Sequence, residues 1–255
     1  AAAQASGTPV TRIGRIEAEP GLRLVDAQGR IALVDDVYTS VALGDLVYRA
    51  LKDRFDTTRI TLAKNTIADD VALAEIEAKS KSADMLIAVG SGTINDLVKL
   101  ASFNAKKPYL LFPTAASMNG YVSKNASITI AGEKKSLLAQ LPLAVLIDLQ
   151  VLCNAPTRLT LAGLGDSLAR PTAQADWLLS HYLTGTEYDD APYQMIAQYE
   201  EQVFAQSAAL QHRDKETIEA LIKLLLVSGF GMTIAGNSAP ASGAEHMIAH
   251  MLSRP

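Results

Sequence analysis

The stretch MLIAVGSGTINDLVK, residues 85–99, joins an apolar run to a helical pattern through the three small residues GSG. The apolar run is typical of a buried strand. We predict that Thr93 caps the following helix, with Asp96 three residues later as in a capping box. A helix N-terminus presents free backbone N–H groups that suit a phosphate. The stretch fits neither G-x-G-x-x-G nor a P-loop, so by itself it indicates either a phosphate cradle or a plain strand–helix turn.

The same alternation of strand and helix runs through the first half of the chain. Buried strands are predicted over residues 31–35, 59–63, 85–89, 109–113 and 144–148. Helical periodicity covers residues 41–52 and 67–79 between the earlier strands. Strands that are apolar throughout and are separated by helices predict a parallel sheet covered on both faces.

Beyond about residue 155 the strand pattern disappears. Helices are predicted over 158–183, 192–211, 215–229 and the end of 229–252, whose middle reads as a loop rich in Gly, Ser and Pro. The predicted fold is therefore an α/β, Rossmann-like domain over residues 1–152, followed by an all-helical domain over residues 153–255.

The overall composition narrows the classes of protein to which the chain could belong. A formal net charge of −4 disfavours a dedicated nucleic-acid-binding protein. We find no apolar run near the roughly 20 residues of a membrane span, and no secretory signal. The single Cys153 cannot form an internal disulfide, and we expect it to be a buried small residue. These features predict a cytoplasmic protein.

Two polar segments follow predicted strands. Asp35 and Asp36 end the first strand, where a carboxylate commonly holds an adenosine ribose, although a solvated strand end is the simpler interpretation. After the fourth strand, FPTAASMNGYVSKNASITI (112–130) carries a run of hydroxyl residues that could bind a ligand beyond the sheet. A long surface loop is the alternative for that segment.

The second half contains candidate metal ligands. Asp166 lies in GLGDSLAR (163–170), where it could cap a helix or bind a metal. His246 and His250 in EHMIAH are four residues apart, so they lie on one face of the predicted helix. Together the three side chains would form a donor set suited to Zn²⁺ or Fe²⁺. The remaining histidines, His181 and His212, read as surface residues.

In this order, GSGTINDLVK, PTAASMNGYVSKNASI, GLGDSLARPTAQADWLLSH and PASGAEHMIAH resemble motifs of a known superfamily, that of the iron-containing alcohol dehydrogenases and dehydroquinate synthase. The resemblance is strongest to its branch of sn-glycerol-1-phosphate dehydrogenases and begins at about residue 30. Four ordered motifs are far more specific than any one of them.

The resemblance implies a dehydroquinate synthase-like fold with a dinucleotide, NAD or NADP, bound in the cleft between the two domains. It places the adenosine ribose near Asp36, whose charge mildly favours NAD. The residues it assigns to the cofactor's pyrophosphate are Gly90, Ser91, Gly92, Thr93, Asn95 and Asp96. The residues it assigns along the cofactor towards the nicotinamide are Thr114, Ser117 and Ser123.

The resemblance also implies a divalent metal bound by Asp166 and His246, with zinc expected first and iron or nickel as alternatives. His250 would face the substrate. Asn119 stands where relatives usually carry Asp, at a position that touches the substrate, and this puts proton handling there in question. The family's third ligand is a histidine further along than this sequence extends. We therefore expect that a C-terminal part is missing, or else that His250 or water completes the site.

The activity implied is reversible hydride transfer between NAD(P)H and dihydroxyacetone phosphate, which gives glycerol 1-phosphate. Lys124, Lys134 and Lys135 are candidates to bind the phosphate, although solvated lysines are the simpler interpretation. The expected substrate is a phosphorylated triose or polyol, and the expected assembly is a homo-oligomer. The alternatives are a dehydrogenase acting on an unphosphorylated polyol such as glycerol, and a nucleotide-binding relative without catalysis.

Overall fold

A computed structural model describes residues 29–252, apart from the side chain of His250. Five parallel strands form the central sheet in the order β2-β1-β3-β4-β7. They are β1 (Arg30–Asp36), β2 (Asp56–Leu62), β3 (Met85–Gly90), β4 (Tyr109–Pro113) and β7 (Ala144–Val145). The predicted parallel sheet is confirmed.

The central strands alternate their side chains between two cores. Ile31 and Leu33 of β1 pack into one apolar cluster, and Ala32 and Val34 pack into the other. Three helices cover these faces: α1 (Asp45–Lys52), α2 (Asp70–Lys79) and α3 (Gly92–Ala105). Both faces of β1, β3 and β4 are buried, which is why these strands read as continuous apolar runs, whereas the edge strand β2 leaves alternate residues exposed.

The order of the strands creates a switch point between β1 and β3. From β1 the chain first adds β2 on one side and then returns to add β3 on the other. Val34 of β1 pairs with Ala88 of β3, so Asp36 and Gly90 end their strands at the same level. Ligands of open α/β sheets bind outside the carboxyl ends of the strands at such a point.

The last predicted strand is much shorter than expected. The pairing of β7 with β4 is limited to Ala144 and Val145. Asp148 ends this segment and caps the helix α4 (Leu149–Asn154), because its carboxylate accepts the N–H of Gln150 at 2.9 Å. The predicted helix over 41–52 is likewise divided, since a π-helical turn (Ser40–Gly44) precedes α1.

A β-hairpin that the sequence did not predict begins within the segment 112–130, for which a surface loop was the alternative. Strands β5 (Asn125–Ile130) and β6 (Glu133–Leu138) pair antiparallel. Both residues of the connecting turn have positive φ, 50° at Ala131 and 82° at Gly132, as in the tight turns that suit hairpins. The Ala-Gly turn lacks the usual Asn-Gly signal, which explains why the hairpin was missed.

The rest of the described chain is helical, as predicted. The helices are α5 (Thr157–Leu168), α6 (Arg170–Thr184), α7 (Ala191–Gln194), α8 (Ala197–Ala205), α9 (Lys215–Ala235) and α10 (Ala244–Leu252), with a 3-10 segment at Ser207–His212. The predicted helix over 192–211 is thus three short pieces. The predicted helix over 215–229 is longer than expected, because α9 runs to Ala235 and ends where Gly236 has a φ of 72°.

Helix α9 is the core element of the helical region. It packs against α4, α5, α7 and α8 and buries Leu221, Leu224 and Leu225 completely. By length and composition alone its 21 residues could cross a membrane, contrary to our reading that no run was long enough. However, 56% of the most apolar 18-residue stretch of this helix is buried inside the protein, so α9 packs as a core helix.

Candidate functional site

The turn between β3 and α3 places backbone N–H groups at the switch point. Helix α3 begins at Gly92, so Ser91 is the N-cap residue and Thr93 lies within the first turn. The predicted capping role of Thr93 is therefore wrong, because the helix starts one residue before it. Ser91, Gly92 and Thr93 are partly exposed, and Gly90 is buried. A Cβ at Gly90 would lie 2.6 Å from the Cβ of Ile94, so this glycine lets the helix pack closely on the strand.

The next two residues of α3 point away from the exposed turn. Asn95 has no exposed surface; its amide donates to Asp96 at 3.0 Å and lies 3.4 Å from the Tyr109 hydroxyl. The Asn95 side chain thus has its partners inside the protein, and its predicted contact with the cofactor stays a prediction. Asp96 accepts the Ser127 N–H at 3.0 Å and so ties α3 to the hairpin. Burial raises the pKa of the Asp96 carboxyl.

The two aspartates at the end of β1 have different surroundings. Asp35 is fully buried and pairs with Arg59 at 2.7 Å and with the Thr61 hydroxyl at 2.8 Å. Asp36 is partly exposed, and its Oδ1 accepts the backbone N–H groups of Tyr38 and Thr39, both at 2.8 Å. Asp36 rather than Asp35 is thus placed to meet a ligand at the switch point.

The loop after β4 carries the predicted hydroxyl residues. Thr114 is buried, and its N–H donates to the Gly90 carbonyl at 3.2 Å, which joins this loop to the β3 turn. The Ser117 hydroxyl lies 3.0 Å from that of buried Tyr121. The Ser123 hydroxyl donates to the Gly120 and Asn125 carbonyls, each at 3.2 Å. The hydroxyls of Ser117 and Ser123 therefore help to shape the loop.

A buried lysine of helix α3 donates hydrogen bonds to this loop. Lys99 of α3 has no exposed surface, and its ammonium donates to the carbonyls of Gly120 and Asn125. Its nitrogen lies 3.9 Å from Asp96. Burial lowers the pKa of Lys99 to about 8 against the opposing effect of that carboxylate. Sequence analysis missed this residue, although a lysine on an apolar face of a core helix was an available signal.

Helix α5 approaches the same loop from the other side. A Cβ at Gly163 would overlap the Ala116 carbonyl oxygen. One turn later, Asp166 accepts the backbone N–H of Asn119 at 2.7 Å through its Oδ2. Asp166 thus lies inside a helix and not just before one, which corrects its predicted position. Gly163, without a side chain, permits the close contact between α5 and this loop.

Asp166 contacts His246 of α10, which lies 80 residues further along the sequence. The Oδ1 of Asp166 lies 3.3 Å from the Nε2 of His246, and the Nδ1 of His246 lies 2.7 Å from Glu245. These two carboxylates, Asp166 first, raise the pKa of His246 to about 9 against the effect of burial. His250 lies one turn further along α10, and its side chain is outside the described part of the structure.

The donor chemistry of this pair fits a divalent cation. A carboxylate oxygen and an imidazole nitrogen face each other from different helices, and Glu245 orients the far side of the imidazole as carboxylates do in metal sites. Within residues 29–252, leaving out the side chain of His250, no group of three or more His, Cys, Asp or Glu side chains could hold a metal. The described chain therefore supplies two converging donors.

A cavity of about 300 Å³ lies between the pair and the hairpin. Its walls come from the loop after β4, the hairpin, the end of α9 and the segment before α10. Residues that line it include Asp96, Asn119, Ser123, Asp166 and His246. Several predicted site residues from both halves of the chain thus face one cavity.

Two buried polar atoms in this cavity wall lack partners. The Nδ2 of Asn119 and the Oγ of Ser127 have no hydrogen-bond partner within the described chain. Asn119 is only 7% exposed, and both residues line the cavity. A buried polar group without a partner is destabilising, so such atoms commonly mark where a ligand or an ordered water binds.

Comparison with known proteins identifies the class to which this fold and cavity belong. The sequence profile described as iron-containing alcohol dehydrogenase matches residues 14–156. The chain therefore belongs to the iron-containing alcohol dehydrogenase family, as the four motifs had suggested.

Curated relatives are similar over most of this chain. The glycerol-1-phosphate dehydrogenase [NAD(P)+] of Pyrococcus furiosus is 37% identical over 214 residues, which are 84% of this chain and 62% of the relative. A protein of the same name from Geobacillus thermodenitrificans is 33% identical over 227 residues, 87% of this chain and 56% of the relative. The chain thus spans about three-fifths of the length of these relatives.

Solved structures agree with the fold. The glycerol dehydrogenase of Schizosaccharomyces pombe superposes with a TM-score of 0.71 at 20% identity, over 88% of this chain and 58% of that one. An iron-containing alcohol dehydrogenase of Thermotoga maritima gives 0.63 at 16% identity, over 82% and 62%. At these identities the likeness establishes the architecture, namely a parallel sheet followed by helices.

Proposed function

We propose that the protein is a metal-dependent NAD(P) oxidoreductase that interconverts dihydroxyacetone phosphate and glycerol 1-phosphate. The observation that carries the proposal is the meeting of Asp166 and His246 at a cavity shared with the loop after β4. The names of the curated relatives support the same substrate and the use of either dinucleotide.

The carboxyl edge of the sheet is the proposed cofactor site. The N–H groups at the start of α3 would bind the pyrophosphate, since a helix N-terminus carries free donors and partial positive charge. Asp36 would accept hydrogen bonds from the adenosine ribose. Ser117 and Ser123, already fixed by internal hydrogen bonds, would shape the path towards the cavity, where the nicotinamide supplies the hydride.

Asp166 and His246 are the proposed metal ligands, and zinc, iron and nickel all suit an oxygen–nitrogen donor set. When bound there, the metal would polarise the substrate carbonyl and lower the pKa of the alcohol. Glu245 orients the imidazole of His246, and the Asn119 N–H orients the Asp166 carboxylate. The side-chain amide of Asn119 lines the cavity and would contact the substrate, and His250 would do so from the next turn of α10. A homo-oligomeric state and a cytoplasmic location remain predictions from the sequence.

The test is metal analysis combined with an NAD(P)H oxidation assay on the protein at its full natural length. We expect one divalent metal per active site and turnover of dihydroxyacetone phosphate. Equal turnover of unphosphorylated dihydroxyacetone would favour the polyol dehydrogenase instead. Binding of NADH without metal, and without turnover after Zn²⁺ is added, would favour a non-catalytic relative.

A further inference from the structure

The β5–β6 hairpin has one apolar and one polar face. Ala126 and Ile128 of β5 are completely buried in the core against the sheet and α3. Residues on the opposite face line the cavity; they are Asn125 and Ser127 of β5 with Lys134, Ser136 and Leu138 of β6. This alternation is the period of two expected of a strand. The hairpin therefore presents a polar wall, including one cation, to the cavity that also contains the Asp166–His246 pair.

Strand geometry separates the lysines that the sequence could not tell apart. Lys134 lies on the cavity face, opposite Thr129 of β5. Lys135 follows it, so it points to the other side, and its ammonium lies 3.7 Å from Glu133. Lys124 also lines the cavity and, like Lys134, is exposed, but it precedes the hairpin and is not held by its strands. Lys134 is thus the lysine that the strand itself directs towards the cavity.

Besides Lys134, two polar side chains that suit an acceptor-rich ligand line the cavity, those of Asn119 and Ser127. The Asn119 amide group carries two N–H donors, and the Ser127 hydroxyl carries one donor and accepting lone pairs. Each lacks a partner within the described chain, and Asn119 is nine-tenths buried. Donors and a lysine on one cavity wall match the oxygens of a phosphate, which accept several hydrogen bonds at once.

One carboxylate, that of Asp96, lines the same part of the cavity and would repel an anion. Its Oδ2 already accepts the Ser127 N–H, and its Oδ1 accepts the Asn95 amide. The buried Lys99 ammonium, 3.9 Å away, offsets its charge. Burial raises the pKa of the Asp96 carboxyl, and Lys99 and Lys134 both act to lower it, so Lys134 lies close enough to offset the same carboxylate from the cavity side.

We propose that Lys134, Ser127 and Asn119 form the phosphate subsite and make the enzyme select phosphorylated substrates. The inference rests on the function proposed above, since it assigns one end of that substrate to the hairpin wall. Asn119 lies next to Asp166, since its backbone N–H donates to that carboxylate at 2.7 Å. With its phosphate on Lys134 and Ser127, a three-carbon substrate would therefore have its carbonyl near Asp166 and His246, which line the same cavity. Lys134 is then the main specificity-determining residue.

The test compares Lys134→Met with its matched control Lys135→Met in the metal-loaded protein of natural length. Charge-assisted hydrogen bonds of this kind correspond to roughly 10- to 100-fold in binding. We expect Lys134→Met to lower the ratio of kcat/KM for dihydroxyacetone phosphate over dihydroxyacetone by about that factor. Lys135→Met should leave the ratio unchanged, and Lys134→Arg should restore most of it. An unchanged ratio in Lys134→Met, with the wild type active, overturns the inference and leaves the proposed function standing.

A binding titration separates the two possible failures. Glycerol 1-phosphate is titrated into wild type and Lys134→Met, and the dissociation constant of NADH is measured in parallel. Weaker binding of glycerol 1-phosphate alone supports the subsite even if turnover is absent. A matching loss of NADH affinity would assign Lys134 to the cofactor and overturn the inference. Wild type that binds NADH but not glycerol 1-phosphate overturns both proposals.

Discussion

The carboxyl edge of the sheet and the cavity in the helical region offer different kinds of groups to a ligand. At the sheet edge the available groups are mostly backbone donors, such as the N–H groups at the start of α3. In the helical region they are side chains of distant residues, such as Asp166 and His246, which only packing brings together. Substitutions should therefore act weakly at the sheet edge and strongly at the cavity.

The largest effect is expected for Asp166→Asn. The variant keeps an oxygen that can accept the Asn119 N–H, so the fold should persist. It loses the negative charge that would bind the metal, and we expect loss of metal and at least about a 100-fold drop in kcat/KM, since even outer-sphere partners of ligands act on that scale. Metal analysis, circular dichroism and the NAD(P)H assay measure the three outcomes.

Asp176→Asn is the matched control for this change. Asp176 holds the start of the same helix α10, because its carboxylate accepts the Ala244 N–H at 2.8 Å. An asparagine can keep that bond, and metal content should stay at the wild-type level. Normal metal content in Asp166→Asn would contradict the assignment of the ligand and would remove the contrast between the two regions.

The buried charge of Lys99 should appear in the pH dependence of stability. The pKa of Lys99 falls from 10.5 to about 8 in the folded protein. Between these values the unfolded chain holds a proton that the folded protein has released, so its contribution to stability rises with pH across this window. The unfolding free energy of wild type minus that of Lys99→Met should therefore rise by up to about 3 kcal/mol from pH 7.5 to 10.5. Denaturant titrations at several pH values measure it.

Lys79→Met is the control for Lys99, since Lys79 is exposed on the neighbouring helix α2. Its difference from wild type should not change over the same pH range. A flat difference for Lys99→Met as well would show that water or another charge stabilises the Lys99 ammonium. Lys99 would then not be the rigid support of the loop after β4.

A smaller effect is expected where α5 touches the loop. Gly163→Ala would place its methyl group against the Ala116 carbonyl oxygen, and overpacking of this kind costs about 2 kcal/mol. Gly165→Ala on the same helix meets no atom within 4 Å, so helix propensity should make it neutral or stabilising. Thermal or denaturant unfolding compares the two. Equal stability of both variants would mean that the loop moves freely away from α5.

The smallest effect is expected at the sheet edge, for Asp36→Asn. The asparagine can still accept the N–H groups of Tyr38 and Thr39, so the turn should remain. Loss of the charge should shift the ratio of NADP to NAD affinity by about fivefold towards NADP, which is about 1 kcal/mol for a pair near the surface. Fluorescence titrations with both reduced cofactors measure it. Asp56→Asn, at the opposite edge of the sheet, should leave the ratio unchanged, and equal shifts would remove Asp36 from the ribose site.

Local pattern predicted well wherever burial was uniform. Strands β1, β3 and β4 were found because both of their faces are buried, and α9 was found because its apolar stripe is long. Prediction failed where small residues serve packing. Asp166 was expected just before a helix, and the helix from residue 215 was expected to end at 229. Gly163, Gly229 and Gly231 instead lie within helices at close contacts.

The sequence by itself determined the alternation of strands and helices, the family and the identities of most candidate site residues. Only the tertiary structure decided which of them share a cavity: Asp166 with His246, Lys134 rather than Lys135, and not Asn95. The physical reason is that a local pattern records how often a side chain is buried. Which distant group it meets depends on strand register and helix packing, and these arise only when the chain is folded.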